Sequence, residues 1–196
     1  SKDWDTIKNE LETRGISSVA PDLFDLAKGR KLDYPTVYQA FSELCESYQD
    51  KLNLCGLSLG GLLALNYAIQ YPKKINSLVL IGTPFEIPKG LLKFQNIVFR
   101  FMPKAVFQNM GVSKKDFIRL SKSMVDLNFM DSATALDCPA LILCGAKDKT
   151  NMESAKRFHE AMKNSKLVIV EASGHEVNKD NPNELVRVLQ DFWADR

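Results

Sequence analysis

The sequence predicts an α/β domain with a mostly parallel sheet and helices on both of its faces. Short apolar runs of strand length alternate with longer amphipathic stretches, and the runs lie at 16–20, 52–55, 78–81, 140–144 and 167–170. Apolar strands separated by helical segments are typical of parallel sheets, which are covered on both faces. A chain of 196 residues is of single-domain size, so we expect one compact core.

The predicted helices are bounded by residues that favour helix ends. Gly15 ends a first helix that starts near Asp3, because glycine tolerates the left-handed backbone of that position. Tyr71-Pro72 ends a helix that begins after Ser58, since the residue before a proline disfavours helical backbone. Asn181-Pro182 supplies an N-cap and a proline at the first helical position. The apolar residues after it recur at helical spacing, which predicts a closing helix packed on the sheet.

The segment from about 89 to 131 departs from this alternation, because it has helical periodicity but no strand. It holds six of the eleven phenylalanines and four of the six methionines. We interpret it as a helical lid inserted into a single α/β domain that spans 1–196, with the core formed by 1–88 and 132–196. Such a lid suits an apolar pocket. The alternative is that these side chains fill a small second core.

The composition favours a small-molecule substrate over a polymer or a membrane. The chain has 26 basic and 24 acidic residues, too even a balance to attract nucleic acid or an anionic membrane. The sequence shows no signal-like start and no apolar stretch near the roughly 18 residues of a membrane span. The four cysteines have no C-x-x-C spacing, which favours free thiols in a reducing compartment. We therefore expect a cytoplasmic protein.

A glycine-flanked serine follows the second predicted strand. Gly56-Leu57-Ser58-Leu59-Gly60 has the form G-x-S-x-G and lies between that strand and a helical pattern. In this context the motif is a nucleophile elbow, a turn so tight that glycines flank the serine and its hydroxyl projects from the strand's carboxyl end. The helix N-terminus stabilises negative charge, and the backbone N–H of Leu59 becomes one donor of an oxyanion hole. Ser58 is therefore the candidate nucleophile.

A serine hydroxyl needs a nearby base, and histidine is the side chain that titrates near neutral pH. The chain has two histidines. His159 lies in a helical stretch between charged residues, and we interpret it as a solvated surface residue. His175 lies in a loop just beyond the predicted strand at 167–170, at the same sheet edge as Ser58. We therefore expect His175 to be the base.

The base in turn needs a buried carboxylate that accepts its other N–H and holds it in one tautomer. Asp148 follows the predicted strand at 140–144 and so reaches the same edge of the sheet. The resulting chain order of serine, aspartate and histidine is that of one known type of triad. Two alternatives remain for the acid. Glu86 is a fallback, and Asp180 is a weaker one that more simply serves the start of its helix.

Together these motifs resemble the α/β-hydrolase superfamily, in particular its small lidded esterase-like members. The resemblance extends over nearly the whole chain and rests on 54–84, the Gly145-x-x-Asp148 turn, the Gly174-His175 loop and Asn181-Pro182. It implies the α/β-hydrolase fold with a helical lid insertion. It also implies that Ser58, Asp148 and His175 are the catalytic triad.

The sequence departs from the pattern of this superfamily in two places. After Pro21-Asp22, members usually carry a Gly-x-Gly-x-Ser-like run, where this chain reads Leu-Phe-Asp-Leu-Ala-Lys-Gly. Members also have a central strand before the first helix, ending in a His-Gly loop that supplies the second oxyanion donor, and this sequence begins after both. Because loss of a central strand leaves its neighbours unpaired, we expect a fragment of a longer natural chain. Otherwise the sheet has closed around the gap and the oxyanion hole is incomplete.

The motifs and the resemblance predict acyl transfer to water by a carboxylesterase, with a small substrate that has an apolar acyl part. A thioesterase or acyltransferase is the second hypothesis and carbon-carbon bond hydrolysis the third, because fold and triad alone do not define the substrate. The chemistry needs no cofactor, and the sequence offers no metal-ligand cluster. A hypothesis of another class is a non-catalytic homologue that uses the same pocket only to bind. The oligomeric state stays open.

The charge of the lid segment bears on the choice between ester and thioester. From 90 to 129 seven basic residues stand against two acidic ones, namely Lys93, Arg100, Lys104, Lys114, Lys115, Arg119 and Lys122 against Asp116 and Asp126. A basic cover over an apolar pocket suits an acyl chain with an anionic handle, such as an acyl thioester of coenzyme A. The simpler interpretation is that these residues keep the outer face of the lid soluble.

Overall fold

The computed structural model describes residues 2–84, 102–103, 107 and 111–194. These residues form two compact units. The first unit comprises 2–21, 50–84 and 130–194, and the second comprises 22–49 together with the described residues from 102 to 129. The predicted lid at 89–131 lies partly outside the described residues, so the organisation as one domain with a lid stays a prediction.

The described helices are named in chain order. They are α1 (Asp5–Glu12), α2 (Leu23–Leu26), α3 (Tyr34–Glu46), α4 (Leu59–Gln70), α5 (Lys114–Ser123), α6 (Met130–Ala133), α7 (Met152–Ala161), α8 (Val177–Asp180) and α9 (Pro182–Ala194), with 3-10 turns at Lys2–Trp4 and Pro72–Lys74. Helices α2, α3 and α5 belong to the second unit, and all the others belong to the first.

The first unit is built on a parallel sheet. Its strands are β1 (Leu52–Leu57), β2 (Ile75–Ile81), β3 (Ala140–Gly145) and β4 (Ser165–Val170). They lie side by side in the order β1-β2-β3-β4, and each neighbouring pair is parallel. The α/β architecture with a parallel sheet is therefore confirmed.

Helices cover both faces of this sheet, which explains why β3 and the second half of β2 are apolar. On one face, Val79 and Ile81 of β2 pack in a buried cluster with residues of α1, α8 and α9. Leu78 and Leu80 point to the opposite face, because side chains alternate along a strand, and they are buried as well. Helices α4 and α7 contact the strands without contributing to that cluster, so they cover this second face.

The prediction of a strand at 16–20 is wrong. Residues 16–20 follow α1, where the Ile16 N–H donates to the Leu11 carbonyl at 2.9 Å, and they lie outside the four-stranded sheet. Within the described residues β1 is an edge strand that pairs only with β2, and no strand pairs with 16–20. Its apolar content does not reflect burial throughout, because Val19 is 66% exposed.

The predicted helix boundaries are confirmed in the first unit. Gly15, with φ of +80°, follows the end of α1, and α4 ends at Gln70, two residues before Pro72. The closing helix α9 begins at Pro182. The Asn181 side chain caps it, because its Oδ1 accepts the Glu184 N–H at 3.4 Å. A single cap of this kind stabilises a helix by about 1 kcal/mol.

The second unit is helical in its described part. Helices α3 and α5 contact each other, and the Tyr34 N–H donates to Ser123 Oγ at 2.7 Å. Phe107 is buried, and its ring centroid lies 5.3 Å from that of Phe117. The two rings of this aromatic pair therefore pack against each other within the second unit.

Candidate active site

Ser58 occupies a strained turn between β1 and α4. Its backbone has φ of +53° and ψ of −113°, a conformation that costs a non-glycine residue about 1–3 kcal/mol. Its N–H donates to the Ile81 carbonyl of the neighbouring strand at 2.9 Å. The turn therefore has the strand-to-helix context and the strained backbone expected of a nucleophile elbow.

The close crossing of β1 and α4 explains one of the two flanking glycines. A Cβ at Gly56 would overlap the carbonyl group of Gly60, so no side chain fits at that position. A Cβ at Gly60 would meet nothing within 4 Å. Packing therefore requires glycine at Gly56 but not at Gly60, a distinction that the G-x-S-x-G pattern does not make.

The start of α4 offers backbone donors beside Ser58. The Leu62 N–H makes the first bond of the helix, to the Ser58 carbonyl at 3.0 Å. The N–H groups of Leu59, Gly60 and Gly61 therefore have no acceptor within the helix and lie at the positive end of its dipole. This is the position expected for an oxyanion donor at Leu59, and that role stays a prediction.

Asp148 and His175 lie together at the carboxyl end of the sheet. Asp148 Oδ2 is 2.7 Å from His175 Nδ1, and the side chains are 5% and 42% exposed, respectively. A carboxylate can only accept here, so Nδ1 carries the proton and Nε2 of the neutral ring is left as an acceptor. The arrangement gives a half-exposed imidazole with a free basic nitrogen, oriented by a buried acid.

Gly82 makes room for this pair, and sequence analysis missed it. It follows β2, has φ of +50°, and a Cβ there would lie 3.0 Å from His175 Nδ1 and 3.2 Å from Asp148 Oδ2. Any side chain would therefore press on the hydrogen bond between them. The signal in the sequence was a glycine directly after an apolar strand, which also occurs in ordinary turns.

Two more polar side chains support the pair. The amide of Asn151 contacts both carboxylate oxygens of Asp148, at 2.8 and 3.1 Å. Asp180 accepts the Gly174 N–H at 2.7 Å and so ties down the loop that carries His175. Asp180 therefore serves that loop rather than the histidine ring, and the expectation that it serves the start of a helix is wrong, because Asn181 caps the following helix.

The other candidate site residues from the sequence lie away from the Asp148–His175 pair or outside the described chain. His159 is exposed on α7, and its Nδ1 contacts Ser165 Oγ at 2.9 Å. Glu86 lies outside the described residues. Among the described residues His175 is therefore the histidine placed at the carboxyl end of the sheet.

Ser58 lies at the same end of the sheet as the Asp148–His175 pair. Within the described chain, Ser58 Oγ makes no hydrogen bond to His175. Both residues nevertheless adjoin the end of β2, since Ser58 bonds to Ile81 and His175 lies against Gly82. The carboxyl ends of parallel strands share one sheet edge, which is where ligands of such folds bind. The complete triad stays a prediction.

Cys55 and Cys144 do not compete with Ser58 as nucleophiles. All four are free thiols, as expected. Burial, with a smaller contribution from the charge of Asp148, raises the pKa of the Cys144 thiol to about 11. Burial raises the pKa of the Cys55 thiol to about 12. Both thiols therefore stay protonated near neutral pH and react poorly.

The described residues hold neither a membrane-spanning helix nor a cluster of metal ligands. None of the helices in that part of the chain is both long and apolar enough to cross a membrane. The same residues contain no group of three or more metal-ligating side chains placed to hold an ion.

Comparison with known proteins gives similar sequences in several organisms. A protein of Bacillus subtilis provisionally named 2-succinyl-6-hydroxy-2,4-cyclohexadiene-1-carboxylate synthase is 23% identical over 200 residues, covering 81% of this chain and 73% of the relative. The 2-hydroxy-6-oxo-2,4-heptadienoate hydrolase of Pseudomonas putida is 25% identical over 181 residues, covering 74% of this chain and 64% of the relative. The chain thus spans less than two thirds of the second relative.

A solved structure and a family model identify the fold. The thermophilic esterase from Thermogutta terrifontis superimposes with a TM-score of 0.77 over 99% of this chain and 85% of the esterase, at 18% identity. The family model of the alpha/beta hydrolase fold matches residues 14–128. This match includes the serine turn and takes in more than half of the sequence. The chain therefore belongs to the α/β-hydrolase fold family.

Proposed function

We propose that this protein is a serine hydrolase that cleaves a carboxylic ester through an acyl-enzyme. The observation that carries the proposal is the 2.7 Å contact between the buried Asp148 carboxylate and His175 Nδ1, at the sheet edge that also presents Ser58. A pair of this kind prepares an imidazole to accept a proton at Nε2. The strained serine turn provides the hydroxyl that loses the proton.

The reaction proceeds in two halves. Ser58 Oγ attacks the ester carbonyl while His175 Nε2 takes its proton, and the resulting imidazolium is stabilised by Asp148. The Leu59 N–H donates to the oxyanion. Collapse of the tetrahedral intermediate breaks the bond to the alcohol, which leaves with the proton from His175. Water, deprotonated by the same nitrogen, then releases the acid and restores Ser58.

The missing hydrogen bond between Ser58 and His175 is compatible with this mechanism. Catalytic hydrogen bonds are often long without substrate and tighten in the Michaelis complex. His175 is a half-exposed loop residue, and its side chain is 42% exposed, so its ring has room to turn about the bond to Asp148. The hydroxyl and the imidazole need only meet when the acyl group arrives.

We prefer ester hydrolysis to thioester hydrolysis as the proposed reaction. The anionic-handle hypothesis needs cations that are available to a ligand, but two of them have partners within the second unit. Arg119 pairs with Asp116 at 2.9 Å, and Lys114 Nζ donates to the Met102 carbonyl at 2.8 Å. Similarity to the 2-hydroxy-6-oxo-2,4-heptadienoate hydrolase of Pseudomonas putida is a reason to assay acids of this kind as substrates as well.

A fluorophosphonate probe tests the proposal. Only an activated serine reacts rapidly with it, so the protein should be labelled at Ser58 and the Ser58→Ala variant should not. p-Nitrophenyl esters of graded acyl length then report the preferred substrate. Absence of both labelling and turnover would favour the non-catalytic homologue instead.

Salt separates ester from thioester recognition. Attraction between exposed charges is screened within roughly 8 Å at physiological ionic strength. If an anionic handle were recognised, kcat/KM for an acyl-coenzyme A would fall as salt rises, while a neutral ester would be little affected. We expect equal responses for both substrates. Joint replacement of Lys114, Lys115 and Arg119 by alanine should likewise leave the ratio of the two rates unchanged.

A further inference from the structure

Asn151 stands where a helix cap is expected but does not cap its helix. It immediately precedes α7, with φ of −102° and ψ of −5°, and its side chain accepts no hydrogen bond from the helix. Asparagine at this position normally accepts an N–H from the first turn. The side chain is instead buried and directed to Asp148. Its orientation therefore needs an explanation other than helix capping.

The contacts of Asn151 converge on one carboxylate. Its Nδ2 lies 3.1 Å from Asp148 Oδ1 and 2.8 Å from Oδ2, and its backbone N–H donates to Oδ1 at 3.2 Å. The opposite orientation of the amide would direct its oxygen at a carboxylate, which only accepts. The donor orientation of Nδ2 is therefore the one that the network supports.

The same Nδ2 lies 3.2 Å from His175 Nδ1. Both nitrogens carry hydrogens when His175 donates to Asp148, so this contact is not a second hydrogen bond of the ring. The two donors share the carboxylate instead. Asn151 holds Oδ1 from the backbone and spans both oxygens from the side chain, while His175 takes Oδ2 at 2.7 Å. The orientation of the carboxylate is thus set by donors to both of its oxygens.

We propose that Asn151 is a positioning residue that orients Asp148 toward His175 Nδ1. The inference rests on the proposed hydrolase function and deepens it. Loss of the amide frees the carboxylate to rotate, which loosens the base without removing it. Because a small misplacement of a catalytic group costs about 10²-fold in rate, we expect kcat to fall by about that factor. KM should stay within about 2-fold, since Asn151 is not required to bind substrate.

The Asn151→Asp variant tests this with the shape of the side chain unchanged. It replaces the amide donor by an acceptor that faces Asp148, so it should lose kcat at least as strongly as Asn151→Ala. Asn164→Asp is the matched control, because Asn164 is exposed and its amide contacts only the Asp137 carbonyl, at 3.4 Å. The control should keep full activity and the same melting temperature.

A second readout distinguishes positioning from a general loss of structure. In the wild-type protein the His175 Nδ1–H bonded to Asp148 should give a low-field proton resonance in NMR spectra. Folded Asn151 variants should weaken or lose it, whereas the Asn164→Asp control should keep it. If either Asn151 variant fails to fold, the other carries the test. Retention of the resonance with kcat within about 3-fold of wild type would overturn the proposal.

The design separates this inference from the proposed function. If the wild-type protein neither reacts with fluorophosphonate nor hydrolyses esters, the hydrolase assignment fails. The resonance still decides whether Asn151 orients Asp148 in that case. If the wild-type protein is active and the Asn151 variants match it in both readouts, the hydrolase stands and the positioning role fails.

Discussion

The two ends of the parallel sheet both carry polar networks, but the networks differ in charge and strain. At the amino end, buried Ser77 donates to Asn53 Oδ1 at 2.7 Å and accepts the Trp193 Nε1–H at 3.1 Å. All these groups are neutral, and they tie two strands to α9. At the carboxyl end, a buried carboxylate holds a half-exposed imidazole next to a strained serine turn.

The polar groups at the two ends of the sheet therefore have different roles. The amino end satisfies buried polar groups and so stabilises the packing of the helix on the sheet. The carboxyl end keeps costly features, namely a buried acid and a positive φ at a serine, which persist only where the surrounding structure holds them in place. Substitutions at the carboxyl end should therefore affect turnover, and those at the amino end should affect stability.

The largest expected contrast is between two serines. Ser58→Ala removes the proposed nucleophile and should lower kcat/KM by about 10⁴-fold or more with little loss of stability. Ser77→Ala should leave kcat/KM within about 2-fold but lower the free energy of unfolding by about 1–3 kcal/mol, because its partners lose their hydrogen bonds. Esterase assays and urea denaturation measure the two quantities. A stable but inactive Ser77→Ala protein would break the contrast.

The two histidines should differ almost as much. His175→Ala removes the proposed base and should reduce kcat/KM by about 10⁴-fold, since members of a triad act as a unit. His159→Ala removes an exposed ring from α7 and should change kcat/KM by less than about 2-fold. Assays of both variants on one p-nitrophenyl ester compare them directly. Equal losses would mean that the base had been assigned to the wrong residue.

Much of this arrangement could be predicted from the sequence, because its signals are local. Residue type and spacing are sufficient to recognise the apolar runs of β2 to β4, the serine turn and the N-cap at Asn181. The segment at 16–20 was misjudged, since an apolar run does not reveal whether a neighbouring strand is there to pair with it. Asn151 and Gly82 were missed for a related reason, because their importance comes from contacts with residues distant in the chain.

Gly82→Ala should have the next largest effect. A Cβ at 3.0 Å from His175 Nδ1 must push the ring by a few tenths of an ångström, so we expect kcat/KM to fall by at least about 10-fold. Gly15→Ala is the matched control, because Gly15 also has a positive φ, of +80°, but a Cβ there meets nothing within 4 Å. Both variants bear the backbone strain, and only Gly82→Ala should lose activity. Similar activities would show that strain alone decides the outcome.

The support of the histidine loop should contribute less. Asp180→Ala removes the acceptor of the Gly174 N–H, so the loop loosens while His175 keeps its bond to Asp148. We expect kcat/KM to fall by about 3–10-fold, which corresponds to one hydrogen bond of about 1 kcal/mol. Asp191→Ala removes an exposed carboxylate whose partner is Arg187 on the same helix, and it should be neutral. A loss of 10²-fold or more for Asp180→Ala would instead give Asp180 a direct catalytic role.

The smallest effect on turnover is expected at Trp193. Trp193→Phe removes the Nε1–H that Ser77 accepts and keeps most of the apolar surface, so Ser77 still donates to Asn53. The free energy of unfolding should fall by about 1 kcal/mol, less than for Ser77→Ala, and kcat/KM should not change. Because the two side chains share a hydrogen bond, the double variant should be more stable than the sum of the single losses predicts. Additive losses would show that the amino-end groups act separately, and a fall in kcat/KM would show that the two ends of the sheet are coupled.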